Sequence, residues 1–313
     1  MTRLTRRSAL QLAGASLAAA TVPAGAAGED GWTAVETPVD STLHDAADTA
    51  TDVHAVGDGG VLVERRADRW EIVHRGGPTG NGNDLFGAAV TDDGKRLWIV
   101  GASGAIGEYD VTTGNLVDRS APNDYTANFN DVAVTGPAGD ADVYVADDSG
   151  SIHYSFENGA EGTWEYAVPG SGSGLPAIES HGARSGHAVD TNGRVYATDD
   201  GVTWEPIGIE DANATFYGLD SDAADDVTVS GGNATIFEYD GSQWVPESLG
   251  DADLLDVDTD HGEGYAVGGG GTIFEYDGGD WRRNQTPTGE NLQAIARGDV
   301  DVVVGAGGTV LER

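Results

Sequence analysis

The stretch "GTIFEYDGGDW", Gly271 to Trp281, appears almost unchanged as "ATIFEYDGSQW", Ala234 to Trp244, 37 residues earlier. Taking Gly271 as an anchor, equivalent positions fall at Gly60, Gly104, Gly150, Gly193, Ala234 and Gly308. Two residues after each anchor stands a branched aliphatic: Leu62, Ile106, Ile152, Val195, Ile236, Ile273 and Val310. Three residues before it stands a turn former: Gly57, Gly101, Asp147, Asp190, Gly231, Gly268 and Gly305. Agreement at seven places makes this a repeat of roughly forty residues.

Each unit reads as short strands. In the sixth, "LLDVDTD", "GYAVG", "TIFEYD" and "WRRNQ" are parted by Gly- and Asp-rich turns. The runs are β-branched or aromatic with period-two alternation, and none has helical length and spacing. Four strands per unit, repeated radially, predict an all-β, seven-bladed β-propeller. Trp opens the fourth strand at Trp70, Trp164, Trp204, Trp244 and Trp281, with Leu116 in its place in the second blade. The seventh unit stops at "GTVLER", without a fourth strand. "WTAVETP", Trp32 to Pro38, matches "WRRNQTP", Trp281 to Pro287, so an N-terminal strand is expected to close the last blade and cover its edge. The expected layout is an export signal at 1–26 and one propeller at 27–313, its seventh blade formed by 288–313 plus 32–38.

The chain has 16 Lys+Arg against 53 Asp+Glu, a formal charge of −37, and no Cys. Without Cys there is no disulfide framework and no thiolate metal site. The acids are dispersed among regular Trp, Val, Ile and Tyr rather than massed in a disordered tail. Dispersed acid with Lys95 as the sole lysine resembles the proteins of halophilic archaea. Such a surface is built for molar salt, where the screening length falls to about 3 Å. A cation-binding acidic protein is the other reading. Either way, the sign opposes nucleic-acid binding.

The opening "MTRLTRRSALQLAGASLAAATVPAGA" has a basic start at Arg3, Arg6 and Arg7, a short apolar run, and a small-residue site at Ala24-Gly25-Ala26. Thr5-Arg6-Arg7-Ser8-Ala9-Leu10 resembles the twin-arginine signal, with Ala9 where Phe is usual. The resemblance implies export of a folded protein to the cell surface or beyond. Removing 1–26 takes away three Arg and no acid, so the mature charge becomes −40. No later stretch is long and apolar enough to span a bilayer.

In the fourth unit, "ATDDGVTW" resembles the Asp-box of bacterial-neuraminidase-like repeats, matching at Asp199, Gly201, Thr203 and Trp204 and departing from Ser at Ala197. The wider rhythm resembles the photosystem II assembly factor-like propellers, within the broader run of WD40/YVTN-like repeats. The resemblance covers about 32–313. It implies a fold, and makes Asp199 a turn residue, more than it implies a function.

A sialidase-like glycan hydrolase or lyase would need clustered arginines, a Tyr nucleophile and an acid. Inner strands offer only Arg184 and Arg297. "DVDTDHGE" carries carboxylates at alternate positions, Asp256, Asp258 and Asp260, as calcium loops do. A solvated turn between the first and second strands is the plainer reading, and "DSDAADD" at 220–226 is read the same way. No cofactor is expected, and calcium is the one ion such carboxylates would take. His181 and His187 flank a turn without metal spacing. Glu64, Glu108, Glu238, Glu275 and Glu312 recur at one blade position, which argues for blade structure. Asn213, Asn233 and Asn284 head glycosylation sequons.

The most irregular segments link one unit to the next: 76–84, 120–128 and 209–217. They should ring one mouth of the channel, where loops on a rigid scaffold carry function. Asn123, Asp124, Tyr125, Phe216 and Tyr217 are the expected contacts. The reading is a monomeric, exported, non-catalytic scaffold that binds a protein or surface glycan at the cell envelope.

Overall fold

The computed structural model describes residues 28 and 31–313, apart from 68, 171, 210, 211 and 213. The expected signal at 1–26 and the sequon residue Asn213 lie outside the described residues.

Seven four-stranded antiparallel sheets form the ring. Blades 1 to 6 span 43–74, 85–118, 129–167, 177–206, 216–248 and 254–284. Blade 7 takes three strands from 292–312 and its outer strand, Thr33–Ala34, from the other end of the chain. Thr33 pairs with Glu312 and Ala34 with Leu311. The matched strings of the sixth unit do form a third and a fourth strand, Thr272–Tyr276 and Trp281–Asn284.

No single core exists. Each junction between neighbouring blades holds its own apolar cluster. Leu43, Val53, Val63 and Trp70 of blade 1 pack on Ala294, Val302 and Val310 of blade 7. Trp98 and Ile106 of blade 2 meet Phe129, Val143 and Trp164 of blade 3. Trp32 joins Tyr265, Ile273, Leu292 and Leu311 across the junction of blades 6 and 7. The period-two alternation reflects this layout, because the two faces of each blade fill different junctions.

The anchor glycine has a specific cause. Gly271 sits at φ 71°, and a Cβ there would lie 2.1 Å from the carbonyl oxygen of Thr288, in the link to the next blade. Ala234 holds the same place in blade 5 at φ 47°.

Most of the recurring glutamates bind across the junctions, while Glu64 pairs with Arg66 and His54 of its own blade. Glu312 of blade 7 accepts the indole N–H of Trp70 in blade 1 at 3.0 Å, and Glu238 of blade 5 accepts that of Trp281 in blade 6 at 3.2 Å. Between blades 6 and 7 the bond runs through Asn284, which donates to Glu275 and accepts from Trp32. Tyr154 and Ala197 replace the glutamate in blades 3 and 4. Trp204, which follows Tyr154, has a buried indole N–H without a partner, and Trp244, which follows Ala197, turns to the carbonyl of Ile207.

Four expectations need correction. The turn carboxylate of blade 4 is Asp200, not Asp199. Asp200 accepts from the amides of Val202 and Thr203 and from the Thr203 hydroxyl, while Asp199 is exposed. This puts blade 4 in step with Asp240 of blade 5, which holds its own turn through Ser242 and Gln243. Asp256, Asp258 and Asp260 lie within the inner strand Leu254–Asp260, not in a turn, and 220–223 likewise belong to the strand Phe216–Ala223. Phe216 is fully buried in the junction of blades 4 and 5 and offers no contact surface. Asn284 is only 6% exposed, with its amide bound between blades, so it is no glycan acceptor; Asn233 is exposed on a turn.

Candidate functional site at the channel mouth

Strand order places the interblade links and the turns between second and third strands on one face of the ring. The inner strands start from that face, and their first residues decide what the channel mouth presents. Six of them slip register at the same place, between Leu43 and Asp45, Leu85 and Gly87, Phe129 and Asp131, Phe216 and Gly218, Leu254 and Asp256, and Leu292 and Ala294. A bulge leaves one residue unpaired and re-aims its side chain. In blade 4 Pro176, which has no N–H to pair, takes that place just ahead of the strand.

The unpaired residues form the rim: His44, Phe86, Asn130, Pro176, Tyr217, Leu255 and Gln293. All seven line a cavity of about 200 Å³ at the channel mouth. The structure brings Tyr217 into it. His44 is fixed by Asp58 at 2.7 Å and packs edge-on against Phe86. Asn130 donates to the carbonyl of Leu175 in the next blade.

One residue further on comes a girdle of carboxylates. Asp45, Asp131 and Asp256, from blades 1, 3 and 6, share a geometry. Oδ1 of each accepts the amide of its own next residue, at 2.7, 2.7 and 2.9 Å. Oδ2 of each accepts an amide from the following blade: Ala88, Ile178 and Ile295, at 2.7, 2.8 and 2.9 Å. Gly87 and Gly218 stand at this position in the blades before Asp131 and Asp256. A Cβ on either would come within 2.7 Å of the backbone of the following aspartate, so the two blades could not approach as they do. A second layer repeats the stitch lower down. Glu179 accepts the amide of Ser221 at 2.9 Å, and Asp220 accepts the amide of Thr259 at 2.8 Å and its hydroxyl.

Burial raises the pKa of Asp45 well above the usual carboxylate range, and repulsion from Asp131 and Asp256 adds to it. Burial raises Asp256 to about 7; its two amide bonds oppose the shift, and Asp131 and Asp220 reinforce it. Among the described residues, no Lys or Arg lines the cavity.

The remaining expected contacts go elsewhere. Asn123 and Asp124 are exposed on the link between blades 2 and 3, with Asn123 donating to the carbonyl of Trp164. The Tyr125 hydroxyl donates to Asp147 and its ring lies 4.4 Å from that of His153, which makes it part of the blade 3 turn. Asp258 lines the channel cavity, whereas Asp260 pairs with His261 at the opposite face. Among the described residues, no group of His, Asp and Glu is arranged to hold a metal.

Arg184 and Arg297 do not converge. Arg184 stacks on Phe156 and pairs with Asp142, near blade 3. Arg297 donates to the carbonyl of Glu263 beside a cavity of about 280 Å³ on the opposite face, between blades 6 and 7. His181 and His187, far from metal spacing, share the hydroxyl of Ser221 through their Nδ1 atoms at 3.1 and 2.7 Å.

The girdle had a signal in the sequence that spacing from the anchors did not reveal. Aligned on their first buried residue, "LHD", "FND" and "LLD" place an acid at the same offset in blades 1, 3 and 6.

Ring, rim and girdle define the chain. It is a seven-bladed β-propeller. No protein-family model matches the sequence, and neither does any curated protein. Solved propellers match across most of the length. YCF48 from Cyanidioschyzon merolae aligns with a TM-score of 0.71 at 19% identity, covering 90% of this chain and 98% of the other. A structure described as YCF48 bound to D1 peptide gives 0.72 at 17%, covering 90% and 96%. The WD40 repeats of RRP9 give 0.71 at 10%, covering 92% and 98%. At these identities the likeness concerns the fold. Among the described residues, no helix is long and apolar enough to cross a membrane.

Proposed function

We propose that this propeller is an exported, non-catalytic scaffold that binds a segment of a protein partner at the channel mouth. The observation that carries this reading is the rim. At one repeat position the blades supply seven different side chains, His44, Phe86, Asn130, Pro176, Tyr217, Leu255 and Gln293, around one cavity. Elsewhere the repeat position is spent on packing or on stitching blades together. Rigid strand ends bearing aromatic and amide groups suit recognition. The peptide-bound state of YCF48, a propeller of similar fold, is in keeping with this use of the ring.

Site-specific photocrosslinking tests it. A crosslinker at 217 should capture a defined partner from cell-envelope extracts in molar salt, and one at 277, on the opposite face, should not. Equal capture from both positions, or capture from 277 alone, overturns the reading. A surface glycan in the same cavity would appear as binding on a glycan array that Tyr217→Ala abolishes.

One observation favours the second reading, a glycan-acting hydrolase. The raised carboxylates Asp45 and Asp256 converge in the cavity, as acid catalysts do. Both oxygens of each are held by backbone amides, which fits a stitching role. We expect no turnover on envelope glycans. A measurable rate abolished by Asp256→Asn, in a variant that stays folded, would establish the enzyme instead.

A further inference from the structure

We infer that the cleft between blades 6 and 7, on the face opposite the mouth, binds a small carboxylic acid as its monoanion, with one edge of the Arg297 guanidinium gripping both carboxylate oxygens. The cleft shares no residue with the rim, so this inference goes beyond the scaffold reading and is tested apart from it.

Three observations lead there. First, Arg297 differs from the chain's other sheltered cations. Arg65, Arg96, Arg119 and Arg297 are the part-buried arginines among the described residues. The first three are ion-paired: Arg65 with Asp52 and Glu312, Arg96 with Asp110, and Arg119 with Glu108. Arg297 instead donates from Nη1 to the backbone carbonyl of Glu263 at 2.9 Å. Its Nε is buried and finds no acceptor among the described residues. A buried donor left unpaired costs stability, and a chain with 53 Asp+Glu has no shortage of acceptors to give it.

Second, the unused edge has the shape of a carboxylate clamp. In a guanidinium, Nε–H and an N–H of Nη2 point the same way, as a fork that matches the two oxygens of a carboxylate. The Glu263 carbonyl takes Nη1, which lies outside that fork.

Third, the cleft suits one small, singly charged guest. Its volume is about 280 Å³, too small for a peptide segment, and Tyr265 and Tyr276 supply aromatic walls beside Arg297. The guanidinium carbons of Arg297 and Arg313 lie 6.0 and 5.7 Å from the centre of the Tyr265 ring. The other charges are already engaged. Glu275 is bound by Arg313 at 3.2 Å and by Asn284 at 3.1 Å, and Asp277 by Arg282 at 3.0 Å. Burial and the nearby Asp301 push the Tyr265 hydroxyl up to about 12, so it stays protonated and bonds to Asp301. Arg297 is therefore the cation left to receive a ligand. The surrounding acids penalise a dianion such as sulfate or phosphate more than a single carboxylate.

The experiment is arginine modification by phenylglyoxal on the whole protein in molar potassium chloride, read site by site by peptide mass spectrometry. Benzoate is the probe acid. Benzamide, its neutral counterpart, and sulfate are the controls, and the exposed Arg75 and Arg194 are internal standards. Arg297 should react in the free protein. Benzoate should protect it, with half-protection on the order of a millimolar, and should leave Arg75 and Arg194 reactive. Benzamide and sulfate at the same concentrations should protect nothing. Arg297→Lys keeps the charge and loses the fork, so benzoate affinity, titrated by ligand-observed NMR, should fall about tenfold. Protection is read on the parent protein, so it decides the matter even where the variant fails to fold. An Arg297 that never reacts, one that benzoate does not protect, equal protection by benzamide or sulfate, or a Lys variant that binds benzoate as the parent does overturns the inference. Failure of crosslinking from 217 would sink the scaffold reading and leave this site standing; failure of protection here would do the reverse.

Discussion

Replacing Trp32 by Ala tests whether the outer strand of blade 7 holds the ring shut. Trp32 is fully buried at the junction of blades 6 and 7, edge-on to Tyr265 at 5.2 Å, and donates to Asn284 at 3.1 Å. Truncating a buried Trp costs about 3–5 kcal/mol. The Asn284 carbonyl keeps a bond from Arg313 at 3.3 Å, so the unpaired-acceptor penalty stays small and about 4 kcal/mol is a fair total. The variant should therefore melt about 10 °C below the parent. It should also free the edge of the strand Val310–Glu312, an invitation to pair with another chain. Melting in molar salt, with size-exclusion chromatography, reads both effects. The matched control is Trp244→Ala. By its place in the repeat Trp244 should be buried, but it is only half-buried and its loss should cost less. A Trp32→Ala protein that is monomeric and melts within about 2 °C of the parent would refute the clasp.

Asp256 gives a second expectation. Its pKa is raised in the fold, so the stability it contributes is complete below the unfolded value of 3.8 and is lost as pH rises through about 7. That loss is at most about 4 kcal/mol, and Asp256→Asn should flatten the decline in denaturant midpoints between pH 4 and 8; an unchanged slope would exclude it. Ala234→Gly relieves an alanine at φ 47° and should raise stability by about 0.5–1 kcal/mol, read from urea midpoints. A formal charge of −37 should make the melting temperature climb from low to molar salt, and a flat profile would rule out the halophilic surface.

The propeller could be read from the sequence because its repeat has a local cause: a left-handed anchor such as Gly271 leaves few residue choices. The outer strand at Thr33–Ala34 was legible because Trp, Thr and Pro keep their offsets at both ends of the chain. The mouth was not. A bulge slips the register by one residue, and no residue type announces it, so Phe216 and Tyr217 looked alike when one is core and the other rim. Likewise, the Asp-box frame pointed to Asp199, whereas the neighbouring blades, which count the acid from Trp, point to Asp200. Asp256 looked like part of a turn because the length of an inner strand is set by its partner strand, Glu263–Gly268, and not by its own composition.

The girdle has a consequence for orientation. A ring of seven like blades would offer an incoming group seven equivalent azimuths, a degeneracy worth about 1 kcal/mol of entropy. Around this channel the sequence of side chains is Asp45, Gly87, Asp131, Ala177, Gly218, Asp256, Ala294, which no rotation maps onto itself. The lower acids add to the bias, since Glu179, Asp220 and Asp258 all come from blades 4 to 6. The potential in the channel is therefore off-axis. A group that entered along the axis would meet different side chains on each side of a nearly symmetric ring.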